Sequence, residues 1–399
     1  MDETKKKPSL KELLSMDLST LTKKKSKETE SASVTKKATK NKKIMEKKIP
    51  KRAIALDIGN NSIKIVSARF DKRRISIDNL IDIPTPQGAV SDGKILDSKV
   101  VSDVIEYALK ENKINIKDVI FTTDSTSIIN RELTIPKVDE EEIETVVRYE
   151  IQQFLPIDLN EYILEYTILE EIKNELDGKE QYRVNVISFP DRTAREYYKL
   201  FSDESDIKPY ALDIYHNSLK KLINLNNRIS DVEKKDDGTI AMIDMGAETI
   251  NINIYKNNEL DFTRIIKCGG NDIDRALSEK LGISLKLVEA LKIQRANLGA
   301  VRVDDELNDI VREVLEDWLN NIDRILQFYK NKCIGNKINN IFIYGGTSNI
   351  PGLEREMQEK FIVPTHRIAS FDKVDMPKGH LSKEPIEKYI NAMGAIIRL

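Results

Sequence analysis

The sequence predicts an α/β protein of two related lobes, and three glycine turns carry that prediction. Asp57-Ile58-Gly59-Asn60-Asn61-Ser62-Ile63-Lys64 follows the apolar run Ala53 to Leu56. Asp244-Met245-Gly246-Ala247-Glu248-Thr249 follows Ile240 to Ile243, and Gly345-Gly346-Thr347-Ser348 follows Ile341 to Tyr344. Each reads as a β-run ending in a turn where bare backbone N–H groups can approach a phosphate or a base. The first two repeat one pattern in opposite halves of the chain, which suggests a duplicated fold with phosphates clamped between the halves.

The residue types in those turns suit nucleotide chemistry. Asp57 and Asp244, each two residues before a glycine, can hold Mg²⁺ through water, as magnesium prefers when it also binds phosphate oxygens. Gly59, Asn60, Asn61 and Ser62 in the first turn, and Gly246, Ala247, Glu248 and Thr249 in the second, would surround the same oxygens. Lys64 falls on the outgoing strand of a hairpin, where its ammonium can meet a phosphate. A single Asp-x-Gly turn is common between strands of any kind; the repetition gives it weight.

With these motifs the chain resembles the actin-like ATPase superfamily, which includes heat-shock chaperones and sugar kinases. The resemblance implies ATP and Mg²⁺ as cofactors, the first two turns as phosphate motifs, and Gly345, Gly346 and Thr347 as an adenosine motif. Val288-Glu289-Ala290-Leu291-Lys292 resembles the superfamily helix whose Glu and Lys reach the ribose and adenine. Glu289 and Lys292 share a helix face, and a surface ion pair is the plain alternative. By chain order Asp213, at the start of the helix joining the two halves, is the candidate to position a water, and Asp244, on the metal side, is the second catalytic candidate; an N-cap role for Asp213 stays open.

The remaining elements follow from spacing. Strands are expected at Ala53 to Leu56, Ile63 to Arg69, Ile75 to Ile81 and Val119 to Thr123, with a helix from Asp97 to Lys110. Val138 to Phe154 carries apolar residues at helical spacing, acids Asp139 to Glu142 at its positive end, and Pro156 just beyond it. Tyr162 to Leu169 and Tyr182 to Phe189 read as strands. Leu307 to Tyr329 is a long helix whose apolar stripe packs on a sheet, with a dimer seam as the alternative.

Residues 1–50 differ from the rest, with 15 Lys against 7 Asp plus Glu and no aromatics. Such a segment buries too little to offset its ordering entropy and is expected to be a disordered basic tail. Within it, Ser9 to Leu18 has the makings of a short amphipathic helix. The absence of interleaved aromatics argues against nucleic acid as a partner. The two cysteines and three histidines have no metal-ligand spacing. No run near 20 apolar residues marks a membrane span.

The stretch Val147-Arg148-Tyr149-Glu150-Ile151-Gln152-Gln153-Phe154-Leu155-Pro156-Ile157-Asp158, followed by Glu165-Tyr166, is similar to the type IV pilus assembly PilM family, a relative of the division protein FtsA. The similarity continues through Pro209 to Asp213, Gly269 to Asp272 and Gly345 to Leu353, and it leaves out the first 50 residues. Asn60-Asn61 stands where small hydroxyl residues are usual, but amides also donate hydrogen bonds.

The resemblance implies an actin-like ATPase fold of two RNase H-like α/β lobes with an inserted FtsA-type interaction subdomain. The expected divisions are a tail (1–50), the first lobe (51–126 and 191–235), the insert (127–190), the second lobe (236–267 and 336–380), a small subdomain (268–335) and a terminal helix (381–399). It further implies a cytoplasmic scaffold that reaches the inner membrane through partners and docks the N-terminal tail of an inner-membrane, PilN-like protein. Tyr149, Phe154, Tyr162 and Tyr166 are the candidate docking residues, with ordinary core packing as their alternative. Slow ATP hydrolysis and homo-oligomer formation are compatible expectations. An FtsA-like tether of the tubulin-like ring is the rival function, and a sugar kinase a third.

Overall fold

The computed structural model describes residues 51–154, 158–173, 178–299, 305–333, 335–377 and 385–398. The expected helix of Ser9 to Leu18 and the side chain of Phe154 lie outside the described residues.

Two sheets of matching topology form the body. The first runs in the order Lys208–Ile214, Asp118–Thr123, Arg52–Ile58, Ser62–Phe70, Ile75–Pro84 and Val374–Asp375. The second runs Thr365–Arg367, Asn340–Tyr344, Thr239–Met245, Ile250–Lys256 and Glu259–Ile266. In each, an antiparallel three-strand meander continues into two parallel strands on the side of its first strand. This repetition of strand order is the duplication that the two Asp-x-Gly turns announce.

The first strands of the two meanders are buried on both faces, so Ala53 to Leu56 and Ile240 to Ile243 read as unbroken apolar runs rather than alternating ones, each ending at its aspartate. Outside the first sheet, Ser98–Glu111 presents Val101, Ile105 and Leu109 to Leu56, Ile65 and Phe121. Asp97 caps that helix by accepting the Val100 N–H at 3.1 Å.

Between the sheets lie Tyr215–Leu225 and Ile390–Ile396, whose Leu219, Leu222 and Met393 share one core with Ala55 and Val66 of the first sheet and Met242 and Phe342 of the second. The two helices cross at backbone contact. A Cβ at Gly394 would fall 2.2 Å from the Ser218 carbonyl oxygen, so only glycine fits there.

Against the outer face of the second sheet pack Gly270–Leu281, Leu285–Arg295 and Glu306–Lys332. The apolar stripe of the long helix, from Leu307 through Trp318 to Tyr329, is buried in this core, which leaves it unavailable as a dimer seam.

The insert is a three-stranded antiparallel sheet, Ile129–Pro136, Glu180–Pro190 and Tyr162–Lys173 in spatial order, with Glu140–Phe154 on one face. Ile143, Val147 and Ile151 meet Leu133, Ile135, Val184 and Val186 in a small separate core. The strand Ile129–Pro136 is absent from the sequence expectations because its polar residues outnumber its core contacts; only Leu133 and Ile135 are buried. Among the described residues no helix is long and apolar enough to cross a membrane.

Candidate nucleotide cleft

The repeated turns face one another across a cavity of about 900 Å³ walled by both lobes. They are built alike. Gly59 N–H donates to Ser62 O at 3.2 Å, and Gly246 N–H donates to Thr249 O at 3.0 Å, so each turn is closed by the same i to i+3 bond. Strand register sets Asp57 opposite Lys64 across the first hairpin. Gly59, Asn60, Asn61, Ser62 and Lys64 line the cavity from one side, and Gly246, Ala247, Glu248 and Thr249 from the other. Gly345, Gly346 and Thr347 close a third side, with the Thr347 hydroxyl donating to Gly246 O at 3.0 Å.

The carboxylates at the strand ends sit in a place unfavourable to charge. Burial pushes Asp57 above the ordinary carboxylate range, against the pull of the Lys64 ammonium and the Tyr215 hydroxyl. Burial pushes Asp244 up to about 7, with the Asp57 charge adding and Asn391 opposing. Asp124, at the end of the strand beside that of Asp57, is likewise pushed up to about 7 by burial and by Asp244, Asp92 and Asp57. Three carboxyls thus compete for one small region.

Asn391, from the terminal helix, holds the centre. Its amide donates to Asp244 Oδ2 at 2.9 Å and stabilises the charged form of Asp57 as well. The Tyr215 hydroxyl donates to Asp57 Oδ1 at 2.5 Å. Sequence reasoning missed Asn391, Tyr215 and Asp124. For Asp124 a signal existed, since it ends the apolar run from Val119 as Asp57 ends its own. The other two are brought in only by the fold.

The structure does not bring Asp213 into the cavity wall. Its carboxylate accepts from Asn217 at 2.7 Å and from the Lys221 ammonium at 2.5 Å. Burial alone would raise its pKa, but Lys221, Arg398 and these hydrogen bonds hold it well below the usual carboxylate range. The residue before the Tyr215–Leu225 helix is Ile214, so Asp213 is not its N-cap either.

Glu289 and Lys292 both line the cavity but are differently engaged. Glu289 accepts from Asn61 Nδ2 at 3.1 Å across the cleft, and Asn60 likewise bonds Glu248. Lys292 is turned inward, 2.8 Å from Asp274 Oδ2 and 3.2 Å from Gly270 O. Its ammonium therefore pins the Gly269-Gly270 turn against Gly246 and Ala247, whose carbonyls accept the Gly270 and Asn271 N–H groups at 3.0 and 2.9 Å.

The four docking candidates are spread over the insert. Tyr149 is 66% exposed on the outer side of its helix. Tyr162 is half-buried at the base of its strand, and Tyr166 packs against the helix–sheet core beside Glu144. Ile168, 42% exposed two residues further along that strand, adds an apolar group that the sequence did not single out.

Two lobes of one strand order, facing across duplicated carboxylate–glycine turns, define an actin-like protein. The family model described as "Type IV pilus assembly protein PilM" matches residues 55–398, and the chain belongs to that family. Among solved structures, the PilM-PilN type IV pilus biogenesis complex superposes with a TM-score of 0.72 at 20% identity, covering 87% of this chain and 98% of that one. The ethanolamine utilization protein EutJ of Carboxydothermus hydrogenoformans shares the fold at a TM-score of 0.51 and 12% identity, over 87% of this chain and 89% of its own. The cell division protein FtsA of Streptococcus pneumoniae is 21% identical over 337 residues, 77% of this chain and 73% of that protein. The chain is thus an actin-like protein of type IV pilus assembly, related to FtsA.

Proposed function

We propose that the chain is an ATP-binding scaffold on the cytoplasmic face of a type IV pilus or related secretion machine. Its insert, residues 127–190, docks the tail of an inner-membrane protein of the PilN kind, and nucleotide state governs that docking. One observation carries the nucleotide reading: Asp57 and Asp244, on equivalent turns of the two lobes, converge on Asn391 within one cavity.

The donor set fits Mg²⁺ with a polyphosphate. A Cβ at Gly345 would fall 2.3 Å from Asp244 Oδ1, so only glycine lets the third turn lie directly against that carboxylate. Asp82 Oδ1 and Asn251 Oδ1 in the cavity wall are buried acceptors with no hydrogen-bond partner. Among the described residues no three acidic, histidine or cysteine groups are close enough to cage a metal directly, which suits a magnesium held through water and phosphate. Asp57 and Asp244 would hold it, and its charge would neutralise the phosphate oxygens and relieve the crowded carboxyls.

The chain supplies the rest. Lys64 and the N–H groups of both turns bind phosphate oxygens, and Glu289 meets the ribose by exchanging Asn61 for a hydroxyl donor. Gly345 to Thr347 approach the base, and Lys292 keeps the Gly269-Gly270 turn in place. For slow hydrolysis of ATP to ADP and phosphate, Asp124 is better placed than Asp213 to orient a water, because it lines the cavity and Asp213 does not.

Calorimetric titration with Mg-ATP tests the pocket. Asp57→Ala and Gly246→Val, the second placing a Cβ 2.9 Å from Thr249 O, should abolish binding while the fold survives. Titration curves unchanged from wild type would remove the assignment. Capture from native membranes tests the scaffold. Pilus inner-membrane components should be retained in a manner sensitive to Tyr149. Retention of the tubulin-like ring would instead place the chain in division, the reading that its FtsA similarity keeps open.

A further inference from the structure

Two consecutive residues at the start of the Tyr215–Leu225 helix touch three separate parts of the molecule. Tyr215 lies in the cleft wall, where its hydroxyl donates to Asp57 Oδ1 at 2.5 Å. His216 is buried, with its imidazole Nε2 3.3 Å from Nδ2 of Asn130, the second residue of the insert strand Ile129–Pro136. The His216 carbonyl accepts the Tyr255 hydroxyl of the second sheet at 2.7 Å.

The chemistry of each bond gives the set a direction. A phenol donating to a charged carboxylate makes a charge-assisted hydrogen bond, stronger than a neutral one and sensitive to that charge. The Asn130 amide and His216 Nε2 share one hydrogen bond, and the tautomer of the ring sets which of them donates. Burial, which pushes the His216 pKa down to about 4, keeps the ring neutral. Packing makes the first turn of the helix stiff: Ile214 sits in a small cluster with Ile163, Phe189 and Ala194 at the root of the insert. Apolar packing alone would fasten the insert to the lobe. The three polar bonds do something further, because each depends on where one helical turn points.

We propose that Tyr215 is a positioning residue for Asp57 and that, with His216, it links the electrostatic state of the cleft to the insert and to the second lobe. Engaging Asp57 with a ligand, or replacing its carboxylate, weakens the Tyr215 bond, frees the first turn of the helix, and alters the hold of His216 on Asn130. The proposal deepens the scaffold reading by naming the route between its two sites, and it rests on that reading for the identity of the ligand and partner.

Amide hydrogen exchange on the full chain, without added nucleotide, tests the link. Asp57→Asn should change exchange at residues 129–136 by at least about threefold, within the usual range for coupled sites. In a Tyr215→Phe background, the same Asp57→Asn change should add nothing at that strand. His216→Gln, whose amide keeps a hydrogen-bond partner for Asn130 in either sense, should preserve transmission, and His216→Leu should abolish it. Exchange in the outer helix Leu353–Phe361, away from both Tyr255 and the insert, reports whether each variant keeps its fold. An Asp57→Asn effect that persists undiminished in the Tyr215→Phe background would overturn the proposal, as would no effect at the insert strand in the wild-type background. Because these readings need no nucleotide, they stand apart from the Mg-ATP titration, whose failure would remove the ligand assignment alone.

Discussion

The two lobes are joined across the cleft mouth by a pair of side-chain bridges, Asn61 to Glu289 at 3.1 Å and Asn60 to Glu248, and both can be cut without touching the core. A hydrogen bond to a charged group contributes about 1.5–3 kcal/mol when well shielded, whereas exposed polar pairs are nearer 0.2–1 kcal/mol. Both bridges are exposed, so about 0.5–1 kcal/mol each is the reasonable figure, or about 1–2 kcal/mol together. Asn60→Ala with Asn61→Ala should then raise the ratio of open to closed cleft by about 5- to 30-fold. A donor–acceptor pair with one label on each lobe reads this directly in protein without added nucleotide. A double-mutant cycle of Asn61→Ala with Glu289→Ala isolates the single bridge and should show coupling of about 0.5–1 kcal/mol. The double alanine variant should also admit nucleotide faster, since Glu289 is released for the ribose. Unchanged lobe separation together with strictly additive single variants would refute this reasoning.

Other outcomes follow from buried groups. Burial, helped by Lys220 and opposed by Asp213, pushes the folded pKa of His216 down to about 4 from 6.5, so the unfolded chain binds its proton first. Its contribution is intact above pH 6.5 and is lost as pH falls toward 4, reaching about 3 kcal/mol; denaturant titrations of His216→Gln should show that slope removed. Gly394→Ala should destabilise the chain by about 1–3 kcal/mol through overpacking on Ser218 O, read as a lower denaturation midpoint. Lys292→Met leaves the nearly buried Asp274 without its cation and should cost about 3–5 kcal/mol, with Lys292→Met/Asp274→Asn recovering much of it in the same titration.

The parts of the fold that were legible in the sequence are those written locally. An apolar run followed by Asp-x-Gly gives a strand and its turn within eight residues, and its recurrence reveals the duplicated lobes. The long helix from Glu306 shows itself because its stripe repeats over many turns. The strand Ile129–Pro136 hides because two buried residues do not make a pattern. The cleft divides in the same way. Asp57 and Asp244 can be found from their turns, whereas Tyr215 and Asn391 arrive from 158 and 147 residues away and carry no local mark. Asp213 shows the opposite case. Asn217 and Lys221, four and eight residues later on one helical face, are a readable sign that its carboxylate is already engaged. Lys292 was placed in the cleft by its helix, but its engagement with Asp274 depends on packing between helices.

A crystal structure with Mg²⁺ and a non-hydrolysable ATP analogue tests the central claim most directly. The account predicts phosphates against both glycine turns, the cation between Asp57 and Asp244 through water, and the ribose on Glu289. An analogue bound outside the cleft, or a cleft left empty at saturating analogue, would contradict it.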